Sequence, residues 1–368
     1  MSVFLRFILF GLGAASVILV FGSAIRTVIL PRGIPAKLSR WVMLSVRTLF
    51  GLRLGTKTQY EKRDRIMALY GPLGLMTLLA AWLAIVLVGY ALMFWGIQGG
   101  SPKQAFALSG SSLLTLGFAR APDLPRLVLS FSEAAMGLVL LALLISYLPS
   151  IYGAFSRREL EVAKLEVRAG SPPTGLEMIE RAWRLGRIDR LTDVWVAWED
   201  WFADVEETHT SLPVLVFFRS PQPERSWVTA AGAVLDGASL VSSTVDQPRN
   251  IECELCVRAG YVALRRIADF FQIPYNPDPS PTDPISIKRE EFDEVYERFK
   301  TGGVPVKERE QAWESFHGWR VNYDSVLIAL AALTLAPPAP WSSDRSPQFR
   351  FGSRPTTRRR AISRLRNH

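Results

Sequence analysis

The sequence predicts an all-α membrane protein: three transmembrane helices, a short re-entrant helix between the second and third, and then a mainly helical cytoplasmic domain. Three observations predict it. Apolar runs of membrane length lie before Ser156, whereas most of the acids lie after it. Hydrophobic residues make up 49% of the chain while 21% is charged, a combination that fits one apolar part joined to one ordinary part. The connection between the second and third runs holds a further apolar stretch too short to span. The expected divisions are 1–65, a first helix and basic linker; 66–155, a pore-type transmembrane domain; 156–341, the cytoplasmic domain; and 342–368, a basic disordered tail.

Phe7 to Ile25 is uncharged between Arg6 and Arg26, just long enough for a hydrocarbon core of roughly 30 Å. With Gly-Ser-Ala at 22–24 it is also compatible with a cleaved signal peptide. The second run extends from Ile66 to Pro102 with its apolar centre at Leu73 to Trp95, and the third covers Leu127 to Ile151, interrupted by Glu133. About ten Lys/Arg lie between Arg26 and Arg65, and Arg157, Arg158, Lys164 and Arg168 follow the third run. The 98–125 connection carries only Lys103 and Arg120. Flanking cations stay on the cytoplasmic side. The expected topology therefore puts the N-terminus outside, 26–65 inside, 98–125 outside and the C-terminal part inside, in a cell inner (plasma) membrane.

Within the outer connection, Ser101-Pro102 is a helix start, with proline in the first turn. The following dozen residues, mostly apolar, read as a re-entrant helix. Its C-terminal end carries the negative end of the helix dipole, which favours a cation. The residues that follow are Ser109-Gly-Ser-Ser-Leu-Leu-Thr115-Leu116-Gly117-Phe118-Ala119-Arg120.

Ser109 to Phe118 resembles the end of the pore helix and the filter of potassium channels, in which a Thr-Val-Gly-Tyr-Gly strand lines the pore with backbone carbonyls. Thr115-Leu116-Gly117-Phe118 matches the first four positions with conservative changes, and Phe in the fourth also occurs among two-pore-domain channels. The resemblance covers residues 66–155. It implies a filter-like strand over Thr115, Leu116, Gly117, Phe118 and Ala119, with Arg120 and Asp123 at the pore mouth. It implies Glu133 behind the filter within reach of Ser111 or Arg120, and a gate or hinge at Gly137 and Pro149. One pore loop per chain implies a homotetramer. No cofactor is expected beyond permeant potassium or another monovalent cation. Two departures stand out. Ala119 occupies the second glycine position, where a left-handed residue with a Cβ costs about 1–2 kcal/mol. Arg120 occupies the place of a guarding aspartate. Both favour the alternative of a non-conducting, membrane-anchored scaffold or sensor.

After Pro149 the third helix is expected to continue amphipathically through Val167, with Leu160, Ala163 and Val167 at helical spacing, and to break at Gly170-Ser-Pro-Pro-Thr. Leu176 to Glu207 reads as helix. Arg181, Arg184, Arg187 and Arg190 recur every three residues, interleaved with Glu177, Glu180, Asp189 and Asp193. That interleaving argues for an ion-paired face rather than a voltage-sensing stripe. Trp195, Trp198 and Trp201 read as core or interfacial belt. Leu212 to Phe218 is apolar and open between strand and buried helix. Further helices are expected over Trp227–Val245, Arg249–Phe271, Glu290–Lys300 and Gln311–Leu335, with a proline-rich connector after Pro274.

Cys253 and Cys256, the two cysteines, lie within one expected helix and read as small buried residues. Three histidines leave little for a zinc site. No nucleotide fingerprint and no nucleophile–base arrangement is visible, so an enzyme is not the expected reading. The chain carries a net charge of +9, and its tail is rich in arginine at Arg345, Arg350, Arg354, Arg358, Arg359, Arg360, Arg364 and Arg366. The expected partner is the anionic inner leaflet, at about 1 kcal/mol per basic residue near the surface, and not nucleic acid.

Overall fold

The computed structural model describes residues 2–28, 38, 41–42, 45–46, 48–49, 69–98 and 100–347. The linker cations from Arg32 to Arg65 other than those positions, and the tail from 348 onward, lie outside the described residues. Among the described residues the fold is all helical, with one isolated bridge between Val245 and Val306 and no strand. The chain divides into two compact units. One comprises Met1–Ser156 with Thr208–Phe218; the other comprises Arg157–Glu207 with the chain from Arg219.

In the first unit, α1 (Val3–Val28), α2 (Tyr70–Gln98) and α4 (Leu124–Ala169) are long and apolar enough to cross a membrane. The short α3 (Pro102–Leu113) separates the last two. α1 lies along α2 at backbone distance. A Cβ on Gly13 would collide with the Gly89 carbonyl, and one on Gly96 would sit 2.8 Å from the Arg6 carbonyl. Small residues permit this approach where no hydrophobic force between helices operates. Arg6 then serves the end of α2: its Nε donates to the Gly96 carbonyl at 2.8 Å and its guanidinium also to Ile97. Those carbonyls have no partner within their own helix.

The apolar segment left open between strand and helix is a 3₁₀ turn, Pro213–Phe217. Val214 and Leu215 pack with Leu75, Leu144, Tyr147 and Ile151, and Tyr70 meets Phe217 edge-on at 4.9 Å between centroids. The segment therefore belongs with the apolar helices, although its sequence neighbours belong to the second unit.

α4 runs without interruption from Leu124 through Pro149 to Ala169, and Gly170 turns out of it at φ +82°. In the second unit α5 (Gly175–Arg184) is capped by the Thr174 hydroxyl, which accepts from the Glu177 N–H. Gly186 breaks the chain at φ +63° before a 3₁₀ turn (Ile188–Arg190) and α6 (Leu191–Ser211). The helix expected over 176–207 is thus two helices, and the four arginines share no single helical face. α7 (Trp227–Ser243) is buried on nearly every side and forms the centre of this unit, as its small, all-round apolar sequence requires. Around it are α8 (Ile251–Phe271), capped by Asn250, α9 (Arg289–Thr301), α10 (Arg309–Arg320) and α11 (Asp324–Thr334). The expected 311–335 helix is also two, parted at 321–323. Trp195, Trp198 and Trp201 are buried, as are Cys253 and Cys256, whose thiols are free.

A polar cluster in the second unit was not foreseen. Arg320, fully buried, donates from Nε to Asp324 at 2.8 Å, from its guanidinium to Asp236, and to the Trp341 carbonyl at 2.6 Å. Tyr323 donates to Asp236 at 2.9 Å, and Asp324 also accepts from the Ser286 N–H and hydroxyl. Burial raises the Asp236 carboxyl above its ordinary range, with the Arg320 guanidinium opposing that shift. The Arg320–Asp324 spacing of four residues was the available signal; the partner Asp236, 84 residues away, had none.

Candidate functional site: the turn after the short helix

α3 begins at Ser101 in extended backbone, with Pro102 in the first turn, and buries Ala105, Leu108, Ser109, Ser111 and Leu113. Its C-terminal carbonyls are covered by the chain that follows. The Ser111 carbonyl accepts from the Leu116 N–H at 2.9 Å and the Gly117 N–H at 3.4 Å, and the Ser112 carbonyl from Thr115 at 3.0 Å. The Ser111 hydroxyl accepts from the Ala119 N–H at 3.0 Å. Residues 114–119 therefore turn over the end of α3, and the filter-like strand expected at 115–119 is absent.

The turn takes its shape from two left-handed residues, Thr115 at φ +55° and Gly117 at φ +72°. Gly117 adopts this conformation freely; a β-branched threonine there is strained. Ala119 is not left-handed, so the cost anticipated for its Cβ falls on Thr115 instead. Thr115, Leu116, Gly117 and Phe118 are all exposed, Leu116 by 61% and Phe118 by 66%. Among the described residues no hydrogen bond reaches any of their carbonyls. A Cβ on Gly117 would meet nothing within 4 Å.

Behind this turn, Glu133 on α4 is fully buried. Its partner is neither Ser111 nor Arg120 but Ser109, whose hydroxyl lies 2.5 Å from Glu133 Oε1 and 2.8 Å from the Leu87 carbonyl on α2. Glu133 Oε2 has no partner among the described residues. Ser109 was the functional-site residue that sequence reading passed over. Its signal was its place one turn before Ser112, among the three serines (109, 111 and 112) at the end of a short, mostly apolar helix. One residue before Glu133 on α4, Ser132 and Tyr90 meet at 3.0 Å and join α4 to α2 again.

Gly137 lies where α4 passes the end of α3: a Cβ would stand 2.7 Å from the Leu113 carbonyl. Close packing explains this glycine in the structure. Pro149 is exposed within an unbroken helix. At the start of α4, Asp123 does not offset Arg120. It accepts from Arg126 Nε at 2.9 Å and from the Arg126 N–H at 3.1 Å, and these bonds hold its carboxyl below the usual range. Arg120 stands exposed beside the turn.

The arrangement offers a stretch of four unpaired carbonyls at the negative end of a helix dipole, and a buried acid that anchors the helix from behind. Exposed carbonyls of this kind coordinate hard cations. No family model matches the chain, and neither a curated protein nor a solved structure matches it.

Proposed function

We propose that the chain is a pore-loop membrane protein whose copies, four by analogy with the channels it resembles, assemble about the α3–α4 turn and pass potassium or another monovalent cation. The observation that carries this reading is the set of carbonyls of 115–118, which accept no hydrogen bond among the described residues and are exposed at the C-terminal end of a 12-residue helix placed between two membrane-length helices. In a single chain this apolar turn and Leu127, Val128, Phe131 and Leu138 of α4 are exposed, uncovered by any of the described residues. Neighbouring copies would cover these side chains and bring the carbonyls to one axis. With the basic linker and the C-terminal unit on the cytoplasmic side, α3 enters the membrane from outside. The continuous α4 would carry movement of the C-terminal unit to the conducting segment, making that unit the gate's control.

Rubidium uptake into proteoliposomes tests this. The parent protein takes up rubidium and Gly117→Asp, equally well assembled, does not. Equal uptake by both would sink the reading.

A second reading, a non-conducting membrane-anchored scaffold, is favoured by Ala119, whose N–H is committed to Ser111, and by the exposed Arg120. If well-folded parent protein is silent, the double variant Ala119→Gly/Arg120→Asp distinguishes the two. Restored uptake assigns the silence to the filter segment. Continued silence with a closed oligomer assigns it to the gate, and silence without a tetramer supports the scaffold.

A further inference from the structure

The second unit contains a cavity of about 650 Å³ between the end of α4, α5 and the start of α6. Five cations line it, Lys164, Arg168, Arg181, Arg187 and Arg190, against one acid, Asp193. Some of this charge is spent locally: Lys164 pairs with Glu161 at 2.6 Å, Arg181 with Glu177, and Arg190 with Asp193 at 3.5 Å. Arg168 and Arg187 have no carboxylate partner among the described residues. The Arg168 guanidinium donates to the Lys164 carbonyl at 3.4 Å.

The remaining lining is apolar. Met178, Leu191 and Val194 form a buried floor, while Val167 and Leu185 stand 74% and 67% exposed at the margin. An ion-paired helical face accounts for paired charges but not for unpaired guanidiniums around an apolar floor. The break at Gly186 creates this arrangement. It turns Arg187 and Arg190 away from the line of α5, so that they and Arg181 border one concavity.

We infer that this cavity binds an anionic amphiphile, specifically a phospholipid with a phosphate-bearing head. The phosphate is held by Arg168 and Arg187, and the start of an acyl chain lies over Met178, Val167 and Leu185. Guanidinium forks match phosphate oxygens with two parallel donors. The cavity is of the size that small ligands occupy, about 300–1,000 Å³. An apolar floor adds affinity for the chain that a phosphate ion cannot exploit. The inference is independent of ion conduction.

The test is titration calorimetry of the full chain in nonionic detergent with soluble dioctanoyl phosphatidic acid. Glycerol phosphate serves as the head alone and dioctanoyl phosphatidylcholine as the neutral amphiphile. The expected result is saturable binding of phosphatidic acid only. Binding weakens by about tenfold or more in Arg168→Ala/Arg187→Ala. Arg168→Lys/Arg187→Lys recovers part of it, and Arg184→Ala, which removes an arginine of α5 outside the cavity, leaves it unchanged. Circular dichroism confirms that the variants fold; both arginines are exposed, so their truncation leaves no buried gap. Three results would overturn the inference: equal binding of glycerol phosphate, which makes it a free-phosphate site; equal loss in Arg184→Ala, which makes it unspecific charge attraction; or no binding at all.

Discussion

Ser109 on α3 places its hydroxyl 2.5 Å from the Glu133 carboxyl on α4 and 2.8 Å from the Leu87 carbonyl on α2. One side chain of a helix too short to span thus ties together two helices that are long enough. An acid buried among apolar helices is costly unless satisfied, which makes this contact the anchor of α3.

Ser109→Ala leaves Glu133 with neither oxygen partnered and should destabilise the first unit by about 1–3 kcal/mol. Thermal unfolding of the full chain in detergent measures the loss. In Ser109→Ala/Glu133→Leu no acid is left behind, so the double variant should melt above Ser109→Ala alone. If it melts lower, the acid contributes something besides this contact.

Gly137→Ala puts a methyl 2.7 Å from the Leu113 carbonyl, at the end of the helix that presents the turn. Backbone must move to admit it, at about 1–3 kcal/mol. The expected signature is a lower melting temperature for Ala and a larger loss for Val. Gly11→Ala, which meets nothing within 4 Å, serves as the neutral control. A hinge whose only role is bending would instead leave stability unchanged while altering flux.

Arg320→Met removes the cation shared by Asp236 and Asp324 and should cost about 3–5 kcal/mol, because two carboxylates remain buried against one another. Arg320→Lys should also destabilise. A lysine head cannot reach Asp236, Asp324 and the Trp341 carbonyl with the divergent donors that the guanidinium supplies. Chemical denaturation followed by tryptophan fluorescence measures both losses.

Burial pushes the Cys253 thiol up to about 12 and raises Cys256 as well. Cys253 also donates to the Ala238 carbonyl at 3.0 Å. At pH 8 about one Cys253 in ten thousand would be thiolate, the reactive form. Iodoacetamide should therefore leave both cysteines of the folded protein unmodified and alkylate both in denaturant. Alkylation kinetics then report opening of the second unit, and Arg320→Met should accelerate them. Rapid labelling of the native parent would contradict the packing of α7 against α8.

Much of this architecture was legible in the chain because its signals are local. The three apolar runs, the proline start of α3, the break at Gly170 and the helix α7 follow from uninterrupted hydropathy, a fixed φ or a run of small and apolar residues, each contained within one segment. The helix breaks at Gly186 and at 321–323 were missed since periodicity continues across both. A glycine is merely permitted to turn, and neighbouring packing decides whether it does.

By itself the sequence determined which segments are apolar enough to cross a membrane, and where a proline start or a glycine–proline run bounds a helix. Only tertiary structure decided which side chains meet. Glu133 pairs with Ser109 rather than Ser111, Asp123 with Arg126 rather than Arg120, and Arg320 with Asp236 across 84 residues. The left-handed residues are Thr115 and Gly117 with Ala119 outside them, because the end of α3 offers the Ser111 carbonyl and hydroxyl to the returning chain. Hydrophobic burial is non-directional and sums along a segment, so it can be read one residue at a time. A hydrogen bond requires two groups within about 3 Å at a favourable angle, and that condition exists only once separate elements have packed.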